Sequence, residues 1–192
     1  RRQLEAAQAR GLTPVGLTVQ RPEEQPHPVE GIEIVRIPGD RISASLRRAG
    51  LGGMKESPPL VQELRGLFRL VRWARTTARI VRAAQPLGRF DVIHANELDA
   101  LPAGWLIARR TGARLVYDSH QLYTMMELNP PKAYRAAASW LEGVLARRAV
   151  VVTNCQPFAD VLTRTLRLPR PAIVHLNAPD PVAGLPEPEQ HD

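Results

Sequence analysis

The sequence has little of several features, and each shortage excludes a class of protein. Its 192 residues contain one cysteine, Cys155, so no disulfide can form within the chain, which is typical of a reducing compartment. No stretch approaches the roughly 18 apolar residues that a membrane-spanning helix needs. The sequence also contains no dinucleotide-binding glycine motif, no P-loop lysine motif and no Cys/His cluster with metal-ligand spacing. We therefore expect no metal and no bound cofactor.

Positive charge, in contrast, is in surplus. The net charge is +7, and arginine supplies nearly all of the positive side because Lys55 and Lys132 are the only lysines. Such a surplus favours anionic partners, which include phosphorylated substrates, nucleic acid and acidic membrane surfaces. No aromatic platform or nucleic-acid-binding module accompanies the charge, so nucleic acid is not an expected partner.

Hydrophobic periodicity predicts an α/β fold. Short apolar strands alternate with helices, which is typical of parallel βαβ units in a doubly wound, mostly parallel sheet. Residues 39–59 have no sustained period and are predicted to be a loop, and residues 179–192 are predicted to be a proline-rich linker or tail. The predicted helices are 1–10, 60–85, 99–110, 132–148 and 157–166, and the predicted strands are 12–20, 32–38, 90–95, 113–120, 149–154 and 172–177.

Polar side chains lie at the ends of three of these strands or directly after them. They are Asn96 and Glu97, then Asp118, Ser119 and His120, and then Asn154. Ligands of open parallel sheets bind beyond the carboxyl ends of the strands, beside helix N-termini that suit phosphate. Asp118 and Ser119 could equally cap a turn, and His120 could be a structural histidine. His94 lies inside the strand pattern and is assigned a structural role.

The helix over residues 60–85 has two interpretations. Apolar residues recur at three- and four-residue spacing at Leu64, Leu67, Val71, Ala74, Ala78 and Val81, and arginines recur at Arg65, Arg69, Arg72, Arg75, Arg79 and Arg82. The first interpretation is a core-packed face opposite a solvated arginine face. The second is a membrane-surface helix, with Leu67, Phe68, Leu70 and Trp73 in lipid and arginines on anionic head groups. The membrane-contact candidates are then Phe68, Arg69, Arg72, Trp73 and Arg75.

Two long segments resemble a known family. "FDVIHANELDALPAGWLIARRTGARLVYDSHQLY" and "VVVTNCQPFADVLTRTLRLPRPAIVHLNAPD" are similar to matching stretches of retaining glycosyltransferases of family 4, and the resemblance runs from about residue 1 to 180. It implies the GT-B fold, in which two Rossmann-like domains face each other across a cleft. The chain would be the N-terminal, acceptor-side domain over residues 1–178.

The resemblance also assigns roles to the residues at the strand ends. In such enzymes a histidine at this position faces the reacting sugar carbon, so His120 is the expected catalytic residue, supporting the transition state as the nucleotide leaves. Asp118, Asn96, Glu97 and Asp99 are expected to line the acceptor pocket. Ser119, Gln121 and Asn154 complete the expected substrate-binding set.

The chain departs from the family pattern at several points. Gln121 stands where glutamate is usual, Asn96 and Glu97 replace a histidine and an aspartate, and Cys155 replaces a serine at a helix cap. We expect the first strand and glycine-rich loop of the family to be missing ahead of residue 1, which would leave two strands without a partner. We expect the donor-binding C-terminal domain to be missing as well. We therefore expect a fragment with little or no turnover alone.

The expected function is transfer of a hexose from a nucleotide-sugar donor to a hydroxyl acceptor with retention of configuration. Two alternatives stay open: a nucleotide-sugar epimerase of the same fold, and a non-catalytic module that binds a membrane or a partner. The expected location is cytoplasmic, including peripheral attachment to the inner face of the membrane. An anionic membrane surface is accordingly a further expected partner.

Overall fold

The computed structural model describes residues 2–20, 30–39, 58–120 and 131–176. Within these ranges the chain forms an α/β, Rossmann-like domain in which every strand pairing is parallel. A short 3₁₀ turn at Gln85–Leu87 follows the longest helix. The helices are α1 (Arg2–Ala9), α2 (Pro59–Ala84), α3 (Glu97–Thr111), α4 (Lys132–Ala146) and α5 (Gln156–Thr165), and the strands are β1 (Val15–Gln20), β2 (Glu33–Pro38), β3 (Val92–Asn96), β4 (Arg114–Asp118), β5 (Val150–Thr153) and β6 (Ile173–Val174).

The strands of the described residues lie in two sheets. β1 pairs with β2, and the other four pair in the order β3-β4-β5-β6. Leu17 of β1 and Ile93 of β3 pack against the same buried cluster, which includes Val81 and Ala84 of α2. The two sheets are therefore joined through a shared layer of helix side chains. The expectation that the family's first strand is missing ahead of residue 1 stays a prediction.

Most predicted elements are confirmed to within a few residues, with one informative exception at α3. This helix was predicted to begin at Asp99, but α3 begins at Glu97, and its N-cap is Asn96, which makes no side-chain capping bond. Asp99 is instead the third residue of the helix. The helix can begin early because Glu97 adopts a φ of 61°, which turns the chain directly from β3 into α3. The predicted loop over residues 39–59 and the predicted tail lie almost entirely outside the described residues.

Helix α2 buries a different face from the one predicted. Of the apolar series chosen from the sequence, Val81 is buried, whereas Leu64, Leu67, Val71, Ala74 and Ala78 are exposed. The side that packs against the domain carries Gly66, Leu70, Trp73 and Thr77, followed by Val81 and Ala84. The helix has two apolar stripes of similar period, and periodicity alone cannot tell which of them meets the core.

The core lies between the four-stranded sheet and its helices. Tyr117, Leu98, Leu101 and Leu162 are fully buried there. α3 approaches the sheet closely because Gly104 has no side chain: a Cβ at this position would lie 3.0 Å from the Cβ of Ala95. This close packing holds the start of α3 directly beside the carboxyl ends of β3 and β4.

Candidate functional site

The sheet register brings the predicted polar residues to one edge. Asn96, the last residue of β3, lies opposite Asp118, the last residue of β4. The backbone N–H of Ser119 donates to the carbonyl of Val152 on β5, and the hydroxyl of Thr153 donates to the carbonyl of Ser119 at 2.6 Å. Asn154 follows Thr153 directly. We call the set Asn96, Glu97, Asp118, Ser119, His120 and Asn154 the polar rim.

Asp118 is the most heavily contacted carboxylate of the polar rim. It is only 3% exposed. Its Oδ2 accepts a 2.7 Å hydrogen bond from Nε2 of Gln3 and lies 3.5 Å from Nε2 of His94, while its Oδ1 lies 3.2 Å from Nε2 of His120. Burial acts to raise the pKa of Asp118, but the hydrogen bonds from His94 and Gln3 and the nearby imidazoles outweigh it, so its pKa is lowered. Asp118 is therefore an anion that orients two histidines.

Glu97 is the second carboxylate of the polar rim, and its environment has the opposite effect. Burial raises its pKa, Asp118 and Asp99 add to the rise, and the backbone N–H and charge of His120 oppose it. That N–H lies 3.4 Å from Oε1 of Glu97. The positive φ of Glu97 is a conformation that side chains other than glycine seldom adopt, and such strain clusters at functional sites. Glu97 and Asp118 thus differ in proton affinity although both face His120.

His120 lies just beyond β4, at a bend of the chain. Its side chain is 33% exposed, so the ring borders solvent while its Nε2 is held near the buried carboxylate of Asp118. Its backbone N–H points to Glu97, so the residue is contacted from both its ring and its main chain. An imidazole held in this way is pre-oriented toward a ligand at the polar rim.

Three buried oxygen atoms of the polar rim lack a hydrogen-bond donor within the part of the chain that the structure describes. They are Oε2 of Glu97, Oδ1 of Asp118 and Oδ1 of Asn154. The Nε2 of His120 is close to Oδ1 of Asp118 but lacks the alignment of a hydrogen bond. Buried acceptors without donors are unfavourable unless a ligand satisfies them. This edge of the sheet is therefore suited to a ligand that brings several hydroxyl groups.

The remaining predicted residues differ in how the structure places them. Ser119 is fully buried in the turn after β4, so it holds that turn in place. Asp99 is exposed on the first turn of α3, where its backbone carbonyl accepts a 3.0 Å hydrogen bond from Nε1 of Trp73. Gln121 lies outside the described residues.

Two residues at the polar rim were not predicted. His94 was assigned a structural role, yet it shares a face of β3 with Asn96 and contacts Asp118. The two-residue alternation along a strand was the signal that could have identified it. Gln3 reaches Asp118 from α1, 115 residues away in sequence. No local pattern predicts a contact over that separation.

The membrane-contact candidates of α2 divide between its two sides. Phe68, Arg72 and Arg75 are exposed. The guanidinium of Arg69 lies 4.0 Å from the centre of the Tyr134 ring, and Trp73 packs partly against the core. Both of these side chains contact the domain, and their proposed contact with a membrane stays a prediction.

The described residues contain neither of two kinds of specialised site. None of the histidine, cysteine, aspartate and glutamate side chains there form a group of three or more arranged to hold a metal ion. Among the helices of the same ranges, none has both the length and the apolar character needed to cross a membrane.

The chain is similar to proteins that transfer sugars. The model of Glycosyltransferase Family 4 matches residues 2–181. A D-inositol 3-phosphate glycosyltransferase from Stackebrandtia nassauensis is 33% identical over 90 residues, which are 44% of this chain and 20% of that protein. The aligned region thus covers about one fifth of the relative's length.

Proposed function

Because the chain belongs to Glycosyltransferase Family 4, we propose that its polar rim takes part in transferring a hexose from a nucleotide-sugar donor to a hydroxyl acceptor with retention of configuration. The observation that carries the proposal is the convergence of three buried oxygens without donors on Glu97, Asp118 and Asn154. Sugars and polyols present many hydroxyl donors and can satisfy all three at once. A site with this many fixed acceptors discriminates strongly against ligands that lack the hydroxyls.

In the proposed reaction, the bond between the anomeric carbon and the donor's diphosphate oxygen breaks. A bond from the acceptor oxygen to the same carbon forms. When the transfer takes place in one step, without a covalent enzyme intermediate, retention requires the acceptor and the leaving group to lie on the same face of the sugar. The departing diphosphate oxygen is then within reach of the acceptor's proton and takes it, so charge and atoms balance without a further reactant.

His120 is the residue that we assign to the reacting centre. Its ring is partly exposed at the polar rim, and its Nε2 lies 3.2 Å from the carboxylate of Asp118. Positive charge that develops on the sugar ring as the leaving group departs is best stabilised by groups that are already in place. The carbonyl and ring of His120 can supply this support, while the buried anion of Asp118 provides a favourable field behind it.

The acceptor in this proposal is a polyol hydroxyl. The relative from Stackebrandtia nassauensis is named for an inositol 3-phosphate acceptor, which makes inositol 3-phosphate the first acceptor to test. The surplus of arginine in this chain is compatible with a phosphorylated acceptor. Asn96, Glu97, Asp118 and Asn154 are the proposed hydroxyl-binding residues.

Ligand-observed NMR of the purified chain tests this proposal. Inositol 3-phosphate, UDP-glucose and GDP-mannose are each added, saturation transfer to each ligand is recorded, and mass spectrometry searches mixtures for an acceptor that has gained one hexose. In the NMR experiment we expect a saturation-transfer signal from the acceptor. In any mixture that yields product, we expect His120→Ala to lower the rate of hexose transfer by about 100-fold or more.

Asp118→Asn and Asp91→Asn form a matched pair for this experiment. Both remove one carboxylate charge, but Asp91 is exposed just ahead of β3, at the opposite end of the strand from the polar rim. We expect acceptor binding to weaken in Asp118→Asn and to stay unchanged in Asp91→Asn. Equal binding by the wild-type chain, Asp118→Asn and His120→Ala would contradict the proposal, as would the absence of binding by every polyol tested.

A further inference from the structure

Helix α2 has a second apolar stripe that the domain does not cover. Leu60, Leu64, Leu67, Phe68 and Val71 each have more than half of their side-chain surface exposed. Their spacing of three and four residues places them on one side of the helix, opposite the buried Gly66 and Thr77 and the half-buried Leu70. Exposed apolar side chains that form a contiguous patch mark interaction surfaces far more often than isolated ones do.

The charges along the same helix indicate what the stripe contacts. The exposed side continues toward the C-terminal half of α2 with Arg72, Arg75 and Arg82, all of which are exposed. The only acidic residue of α2 is Glu63, and its carboxylate accepts from the backbone N–H groups of Lys132 and Ala133. The exposed side of α2 is therefore apolar in its first half and cationic in its second half.

We propose that this side of α2 docks on an anionic membrane surface. Leu64, Leu67, Phe68 and Val71 would enter the boundary between head groups and acyl chains, and the arginines would contact lipid phosphates, with the helix lying in the plane of the interface. A second copy of the chain is a poorer occupant, because self-association through this side would bring the arginines of both copies together. The inference does not depend on sugar transfer.

The position of α2 connects this surface with the polar rim. The Nε1 of Trp73 donates to the carbonyl of Asp99, in the first turn of the helix that begins with Glu97. Trp73 faces the domain while Phe68 and Val71 face away from it. Docking through the exposed side would therefore bring a lipid surface against the helix whose opposite side contacts the first turn of α3.

Vesicle sedimentation of the full chain tests the docking surface. The probes are vesicles of phosphatidylcholine alone and vesicles of equal parts phosphatidylcholine and phosphatidylglycerol. We expect sedimentation with the anionic vesicles only, and we expect it to weaken as salt rises. The double variant R72E/R75E should bind at least about 10-fold more weakly, because each arginine near an anionic surface contributes about a factor of five. The double variant L67S/F68S should also lose binding, with unchanged circular dichroism, since both side chains are exposed.

Matched controls separate the site from general charge and hydrophobicity. R167E/R170E makes the same change in charge on the exposed connection after α5, a helix that packs on β5 and β6. L12S/L176S removes two exposed leucines elsewhere on the surface. Both controls should bind as the wild-type chain does. The proposal fails if R72E/R75E and L67S/F68S bind like the controls. It also fails if the wild-type chain binds neither kind of vesicle, and light scattering shows that it forms a dimer that L67S/F68S dissociates.

Discussion

The phenol of Tyr117 donates a 2.7 Å hydrogen bond to Oε1 of Glu142 inside the core, below the polar rim. Both side chains are buried, and the pKa of each is raised: burial is the main cause for both, and the neighbouring carboxylate of Glu142 adds to the rise for Tyr117. A buried carboxylate is unfavourable when it is ionised, even with one hydrogen bond. The pair therefore links the stability of the domain to pH.

Replacing Glu142 with glutamine should stabilise the protein above neutral pH. The folded-state pKa of Glu142 is higher than its unfolded-state pKa, so the folded wild type loses stability as pH rises from the unfolded-state value through the folded-state value. Glutamine keeps an acceptor for Tyr117 but has no charge to bury. Urea unfolding should show that Glu142→Gln raises the free energy of unfolding more at pH 8 than at pH 5. An equal difference between variant and wild type at both pH values would contradict this account.

Replacing Tyr117 with phenylalanine should destabilise the protein. The variant leaves the carboxylate of Glu142 buried without its donor, at a cost of about 1–3 kcal/mol in the free energy of unfolding. The double variant of Tyr117→Phe with Glu142→Gln measures the coupling between the two residues. Additive effects in that double-mutant cycle would show that the hydrogen bond does not connect them.

Asp118→Asn should lower stability at neutral pH by about 1–3 kcal/mol, because Gln3 and two histidines lose a charged acceptor. The pKa of Asp118 is lowered in the folded state, so its contribution is present above the unfolded-state pKa and is lost as pH falls through the folded-state value. In thermal unfolding between pH 7 and pH 3, the midpoint temperatures of the wild type and the variant should thus approach each other as the pH falls. A constant difference over that range would argue against this role.

Glu97→Gly should raise the free energy of unfolding by roughly 1 kcal/mol while it removes one acceptor from the polar rim. Glycine adopts a φ of 61° without the steric cost that glutamate carries there. Glu97→Gln is the control, because it removes the charge and keeps the strained backbone. If both variants change chemical denaturation midpoints equally, the backbone conformation of Glu97 is not strained.

Gly104→Ala should destabilise the domain by about 1–3 kcal/mol, although alanine normally stabilises a helix relative to glycine. The added Cβ would lie 3.0 Å from Cβ of Ala95, a side chain too short to move aside. Gly143 of α4 offers the matched comparison, since a Cβ there meets nothing closer than a nitrogen of Arg147 at 3.7 Å. Gly143→Ala should be neutral or stabilising by up to about 1 kcal/mol in calorimetry. A stabilising Gly104→Ala would show that α3 can move away from the sheet.

Asn154→Leu should separate ligand binding from stability. Oδ1 of Asn154 is buried without a donor in the described part of the chain, so its removal should leave the free energy of unfolding within about 0.5 kcal/mol or raise it. Polyol binding measured by calorimetric titration should weaken by about 10-fold or more if this oxygen accepts a ligand hydroxyl. Unchanged binding would remove Asn154 from the proposed site.

Much of the fold could be predicted because it follows from local chemistry. β-branched runs such as the one in β5 favour strands, and the alternation of strands and helices favours parallel pairing in the sheet. Parallel strands expose their carboxyl ends at one edge, so Asn96 and Asp118 were predicted to lie together before their register was known. The start of α3 was placed at Asp99 and not at Glu97, because capping patterns favour ordinary backbone angles and Glu97 departs from them.

The sequence by itself determined the parallel α/β layout and the edge where polar groups gather, because hydrophobic periodicity and strand polarity are local properties. Tertiary structure alone decided three further features. It brought Gln3 to Asp118, selected which of the two apolar stripes of α2 meets the core, and enclosed Glu142 beside Tyr117. Each depends on how elements that are distant in sequence pack together. The free energy of that packing depends on both contacting surfaces, so the sequence of one segment alone cannot determine it.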